Sequence, residues 1–327
     1  MKHLSAADMA RAIALGWGGD RDRDAKAARE SRALVMEHAP KSLAQKLEAH
    51  GMNKTPRIAT AARLARAVED LANDPAVDGD ELVDAFAQSG GTGFALALSS
   101  PKHAKDVLRE RMNEHELDLS QLGLATLPDT IALAPPDVTR MSLSHNRIRE
   151  ISPALVKLPK LRQLFLDYNG MHAIPKTVFE LSTLESLALN DNEISEVPDA
   201  IGDLTNLREL WLSDNPLHEL PRGLLRLGKL RFLHLGELPW KEPAPFIADM
   251  TSLEELWLAS HSLEHLPPAI CKLPKLRRLH LWYSNLSSVP EELFACTKLE
   301  ELRITNNPMP DETVERLRKA LPRTTIY

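Results

Sequence analysis

The sequence contains little cysteine and no long apolar run. Its two cysteines, Cys271 and Cys296, cannot supply the cysteine-rich segments of many secreted proteins, which favours a reducing compartment. No stretch approaches the ~18 consecutive apolar residues of a membrane-spanning helix. Near the N-terminus, Asp8 and Arg11 interrupt the apolar stretch before it reaches the length of a signal-peptide core. These absences predict a cytoplasmic protein that does not enter membranes, and they leave export without a cleaved signal peptide open.

An excess of basic residues is also lacking. The 40 lysines and arginines are outnumbered by 46 aspartates and glutamates, which gives a formal net charge of −6. Proteins that bind nucleic acids usually present a basic face, because neutralising phosphates releases counterions. The charge balance therefore predicts that nucleic acid is not the partner.

Leucine, in contrast, is abundant and regularly spaced. Three leucine columns run in phase with a period of 23 residues over seven units. The first column comprises Leu161, Leu184, Leu207, Leu230, Leu253, Leu276 and Leu299. Val138, Met141 and Leu143 extend the register one unit backward.

The unit that these leucines define resembles the leucine-rich repeat, L-x-x-L-x-L-x-x-N-x-L, in its 23-residue intracellular and bacterial type. The resemblance covers roughly two thirds of the chain. It implies an α/β solenoid with a curved parallel sheet on its concave face and short helical or 3-10 turns on its convex face. Side chains of the asparagine column are expected to satisfy backbone groups where each strand turns. That column comprises Asn146, Asn169, Asn192, Asn215 and Asn307.

Composition and period divide the chain into three segments. Residues 116–310 are predicted to hold about eight or nine repeats, and residues 311–327 to form a capping helix followed by an edge strand. Residues 1–115 are rich in alanine and charged residues with helical periodicity, which predicts an all-α region. This region either folds independently or caps the first repeat.

The outward positions of the predicted strands carry an unusual number of rings. The register and the ~4.8 Å spacing of neighbouring strands predict a nearly continuous line of rings, which we call the aromatic ridge. The ridge comprises Trp211, Phe232, His234, Trp257, His280 and Trp282, and Phe165, Tyr168, Tyr283 and Arg303 lie near its ends. An exposed stripe of this kind predicts a partner-binding surface. The alternative is that the rings cover one another and the N-terminal region.

Arginines and glutamates alternate beside the ridge, in one column from Arg162 to Glu300. They form either a polar rim that orients a partner or a solvated face.

Catalytic and metal-binding patterns are not recognisable in the sequence. No nucleophile, base and orienting group occur together in a known spacing. His234 and His280 would lie two strands, or about 10 Å, apart without a third ligand, so no metal and no other cofactor are expected. The glycine-rich loop Ser89–Gly93 lacks the Lys-Ser/Thr pair of a phosphate-binding loop.

Together these features predict a monomeric, non-enzymatic scaffold that binds a protein or peptide through its concave face. Two alternatives stay open. One is a bacterial effector directed at a host, with ubiquitin-ligase-like activity, although residues 1–115 contain no cysteine for such chemistry. The other is a regulatory or inhibitory subunit of an enzyme.

Overall fold

The computed structural model describes Leu98 and residues 104–260 and 262–327. The chain divides into two compact units, Met1–Lys160 and Leu161–Tyr327. Most of the helices expected in residues 1–115 lie outside the described residues. The sequence from Pro101 onward predicts the last of these helices, and it is present as α1 (Ala104–Glu110), which buries Ala104, Val107 and Leu108.

The first unit contains short strands and 3-10 helices that alternate along the chain. In the main sheet β2 pairs antiparallel with β1 and parallel with β4, and β3 and β5 pair separately. The elements are β1 (Met112–Asn113), β2 (Glu116–Asp118), β3 (Thr126–Leu127), η1 (Asp129–Leu133), β4 (Arg140–Ser142), β5 (Glu150–Ile151) and η2 (Pro153–Lys157).

The second unit repeats one pattern, in which a three-residue strand is followed by a turn and a short helix. Its strands are β6 (Gln163–Phe165), β7 (Ser186–Ala188), β8 (Glu209–Trp211), β9 (Phe232–His234), β10 (Glu255–Trp257), β11 (Arg278–His280), β12 (Glu301–Arg303) and β13 (Thr325–Ile326). Each strand pairs in parallel with the next, so that Leu210, for example, lies opposite Leu233. The leucine-rich-repeat fold expected from the 23-residue period is therefore confirmed.

Short helices return the chain between the strands and close the leucine core. They are α2 (Lys176–Phe179), η3 (Asp199–Asp203), η4 (Arg222–Arg226), η5 (Pro245–Asp249), η6 (Pro268–Lys272) and η7 (Glu291–Ala295). A proline precedes most of them, and its fixed φ prepares the first turn, as at Pro198 with φ −71°. One buried apolar residue per turn, such as Ile201 or Leu293, anchors the helix to the core.

The unit that begins at Leu230 lacks both the asparagine and the usual proline. Leu238 occupies the asparagine position and is buried, and the indole Nε1 of Trp240 donates to the carbonyl of Leu217 at 2.6 Å. The missing asparagine and proline predict an irregular return side for this unit, but the irregularity is confined to the turn, because η5 still forms with Ala244 as its N-cap.

The asparagines of the repeat connect successive turns. Asn192 accepts hydrogen bonds from the backbone amides of Asn169 and Met171, and it donates to the carbonyls of Leu166 and Leu189. Asn146, Asn215 and Asn307 make equivalent bonds. A buried side chain with both donors and acceptors thus satisfies backbone groups that no strand partner reaches.

The chain ends with α3 (Asp311–Ala320), which buries Leu317, and with β13, whose Ile326 pairs with Leu302. Acidic residues in the first turn of α3 and basic residues in its last turn complement the helix dipole. In the described part of the chain, no helix has the length and apolar character needed to cross a membrane.

Candidate partner-binding surface

Strands β8 to β11 bring the rings of the aromatic ridge into contact on the face opposite the leucine core, which we call the sheet face. Trp211 lies 4.3 Å from Phe232 and 5.3 Å from His234 between ring centroids. His234 lies 4.9 Å from Trp257, which lies 6.1 Å from Trp282. The parallel register causes this arrangement, since Trp211, His234 and Trp257 occupy the same position in successive strands.

The rings differ in how much surface they leave open. Trp211, Phe232, Trp257 and Trp282 are all partly exposed. His280 was expected to offer an exposed ring as well, and here the structure corrects the prediction, because the side chain holds the outward position but is only 3% exposed. The indole of Trp257 lies over it, with ring centroids 4.4 Å apart and planes 13° apart. His280 therefore supports the ridge from below.

Glu255 fixes the orientation of Trp257, a role that the sequence did not reveal. The indole Nε1 of Trp257 donates to one carboxylate oxygen of Glu255 at 2.6 Å, and Arg278 donates to the other at 2.5 Å. Glu255 is 14% exposed and its nearer carboxylate oxygen is 3.8 Å from Nε2 of His280. The only polar group of Trp257 is thus engaged within the protein, so this ring offers an apolar surface in a fixed orientation.

The two histidines of the ridge are held in their neutral form. Burial, followed by the nearby His280, lowers the pKa of His234 from 6.5 to about 4. Burial also lowers the pKa of His280. Within the described residues, Nδ1 of His234 and both ring nitrogens of His280 have no hydrogen-bond partner. The centre of the ridge is therefore uncharged at neutral pH.

The remaining predicted residues flank the ridge. Phe165 is separated from Trp211 by the small, buried Ala188 in the intervening strand. Tyr168 is exposed and hydrogen-bonds to Asp191, which raises the pKa of its hydroxyl.

At the other end of the ridge, Tyr283 is exposed and its ring lies 6.2 Å from Trp282. The guanidinium of Arg303 lies 5.6 Å from the ring of Trp282 and 5.0 Å from that of Tyr327.

The alternating charges beside the ridge pair with one another. Arg162 and Arg208 both contact Glu185, Arg231 lies 2.7 Å from Glu254, and Arg277 contacts Glu300. These pairs join neighbouring repeats on an exposed surface, where each stabilises the fold by at most about 1 kcal/mol.

The positions of Cys271 and Cys296 on the return segments of adjacent repeats predict small core residues, but the structure shows both to be only partly buried. They lie at the ends of two neighbouring 3-10 helices and line one surface cavity, together with Lys272 and Lys298. Among the described residues, no group of three or more His, Cys, Asp or Glu side chains could hold a metal ion.

Comparisons with known proteins agree with the fold. A leucine-rich repeat region model matches residues 176–263, and a leucine rich repeat model matches residues 115–171. No curated protein matches the sequence.

Among solved structures, the leucine-rich repeat domain of the type III effector XopL is 19% identical with a TM-score of 0.56, and the match covers 100% of this chain and 96% of that one. An internalin from Listeria monocytogenes is 18% identical with a TM-score of 0.53, covering 65% of this chain and 60% of that one. This chain thus spans less than two thirds of the internalin's length. A TLR13 complex with single-stranded RNA is 23% identical with a TM-score of 0.56, and the match covers 71% of this chain and 34% of that one. At these identities the likeness concerns the fold alone.

Proposed function

Since this chain is a leucine-rich-repeat protein, we propose that it is a non-enzymatic scaffold that binds a protein or peptide segment through the aromatic ridge. The observation that carries the proposal is the set of four partly exposed rings in mutual contact on the sheet face. Tryptophan in particular tends to dominate the binding energy of interfaces, because it buries a large apolar surface when a partner covers it.

The ridge is organised before any partner arrives. Trp257 is stacked on His280 and hydrogen-bonded to Glu255, so its ring does not have to be ordered on binding. Rigid interface side chains bind more tightly, because less rotamer freedom is lost. The Arg and Glu pairs beside the ridge suit a polar rim, although they suit a solvated face equally well.

The chemistry of the surface favours a protein partner over a nucleic acid. A TLR13 structure contains single-stranded RNA, so the fold itself is compatible with RNA binding. In this chain the net charge is −6, and the turns beside the ridge carry Asp191, Asp214 and Glu237. These carboxylates would repel a phosphate backbone.

The context of the scaffold is part of the same proposal. We place it in the cytoplasm as a monomer, with the helical segment of residues 1–115 as a cap or a second interaction module. A second candidate is a role as an effector directed at a host cell. The repeat domain of a type III effector, which aligns with the whole chain at 19% identity, shows that this fold occurs in such proteins.

A cross-linking experiment tests the binding surface. Peptides selected from a random display library on the full chain are resynthesised with a benzophenone at their apolar position and irradiated in the complex. We expect mass spectrometry to find cross-links in residues 209–211, 232–234 and 255–257. Cross-links concentrated on η3 to η6 would contradict the proposal.

A further inference from the structure

Two carboxylates stand beside the aromatic ridge at equivalent positions of successive repeats. Asp214 follows Trp211 by three residues, and Glu237 follows His234 by three residues. Both side chains are exposed, and both line one shallow depression together with Pro216, Ser260 and other residues of the turns. The turns that form the depression include the one in which Leu238 replaces the repeat asparagine.

The part of the sheet face between the aromatic ridge and the two carboxylates carries only small residues. It is formed by Ser213, Gly236 and Ala259, all of which are buried. A Cβ atom added at Gly236 would come within 3.0 Å of Nε2 of His234 and 3.2 Å of the carbonyl of Ala259. The glycine thus lets the imidazole lie close to the turn, and among the residues that the structure describes no bulky side chain separates the ridge from the depression.

Like charges crowd this edge of the sheet face. Partial burial, followed by the charges of Asp191 and Glu237, raises the pKa of Asp214. A cation placed between these carboxylates would relieve the repulsion. The neighbouring indole faces would also attract a cation, since an aromatic face carries partial negative charge.

Resting on the proposed function, we propose that the partner is an extended peptide segment that places an apolar side chain on the aromatic ridge and a lysine or arginine in the depression between Asp214 and Glu237. The three residues from Trp211 to Asp214 span about 10 Å of extended chain, so the basic residue should lie about three positions from the apolar anchor. Ion pairs beside a partly desolvated aromatic surface set the orientation and choice of a partner.

The matched variants remove two negative charges at two different places. The test variant carries Asp214→Asn and Glu237→Gln. Asp214 and Glu237 have φ of 53° and 52°, and Asn tolerates this left-handed conformation well. The control carries Glu196→Gln and Glu219→Gln, which are exposed residues on return segments away from the ridge. Circular dichroism and thermal melting check the fold of each variant.

A 12-residue random peptide library is selected on the full-length wild type and both variants. We expect wild type and control to enrich Lys or Arg two to four positions from an aromatic or aliphatic residue. The Asp214→Asn and Glu237→Gln variant should keep the apolar preference, lose the basic preference, and bind the wild-type peptides at least about tenfold more weakly.

Four results would overturn the inference. Peptides without a basic preference, or with a preference that survives in the test variant, would contradict this inference and leave the proposed function standing. Recovery of no peptide would overturn both. Displacement of the selected peptide by a single-stranded oligouridine at the same ionic strength would also overturn the inference, because an acidic depression cannot accept a phosphate backbone.

Discussion

The indole of Trp257 lies parallel to the imidazole of His280, with ring centroids 4.4 Å apart. Trp257 is partly exposed and His280 is buried, so the pair connects the exposed surface of the sheet face to the buried ring beneath it. The exposed side of Trp257 is held in place by a neutral ring below it and by the Glu255 carboxylate at its nitrogen. This arrangement makes the surface rigid, and it can be tested one residue at a time.

His280→Phe should preserve the stacking and remove two buried ring nitrogens that have no hydrogen-bond partner among the described residues. We expect the free energy of unfolding in urea to stay constant or rise by about 1 kcal/mol, because an apolar ring replaces unsatisfied polar atoms. His280→Ala should cost about 2 to 4 kcal/mol, because it leaves a cavity under Trp257. A large loss of stability in His280→Phe would show that the nitrogens are satisfied in solution.

Acidification should destabilise the fold through His234. Its pKa is lowered to about 4 in the folded state, so between pH 6.5 and about 4 the unfolded chain binds the additional proton. The contribution of His234 to stability is therefore complete above pH 6.5. This contribution is lost as pH falls, and the loss amounts to about 2 kcal/mol at pH 5. Urea titrations at pH 7 and pH 5 measure the loss, and His234→Phe should reduce it. The exposed His218 serves as the control site, and an equal reduction in His218→Phe would contradict the assignment.

Glu255→Ala should weaken the binding of a selected peptide about tenfold through Trp257, because the indole loses the acceptor that fixes it. Calorimetry gives the affinity, and the tryptophan emission maximum reports the altered environment of the ring. Glu254→Ala removes the neighbouring, partly exposed carboxylate, which pairs with Arg231. If the affinity of Glu254→Ala for the peptide changes by less than about threefold, the charged pairs beside the ridge form a solvated face and not an orienting rim. Equal losses in both variants would argue against a positioning role for Glu255.

The cysteine pair should react asymmetrically. A hydrogen bond from the Cys271 thiol lowers the pKa of Cys296, and the same contact raises the pKa of Cys271. Because the thiolate is the nucleophile, iodoacetamide at mildly alkaline pH should label Cys296 first, and Cys271→Ala should slow this labelling. Peptide mass spectrometry follows both sites, and faster labelling of Cys271 would contradict the prediction.

The sequence predicts the repeat and the placement of the rings well, because a parallel sheet with a fixed 23-residue period leaves one position for each side chain. Trp211, His234 and Trp257 fall in one column for this reason. Burial within the column was not predictable. His280 occupies an outward position but is covered, since Trp257 tilts onto it and Glu255 holds the tilt. The side-chain bonds of Glu255 depend on rotamers, which the repeat register does not determine.

The measurement that tests the binding proposal most directly is the calorimetric affinity of a selected peptide for the full chain and two variants. Trp211→Ala combined with Trp257→Ala removes the exposed centre of the aromatic ridge, and Trp240→Ala removes a tryptophan from the irregular turn outside it. With folding verified by circular dichroism, we expect the double variant to bind at least about 100-fold more weakly than wild type, because two interface tryptophans are lost. Trp240→Ala should bind within about threefold of wild type. Unchanged affinity in the double variant would show that the aromatic ridge is not the binding surface.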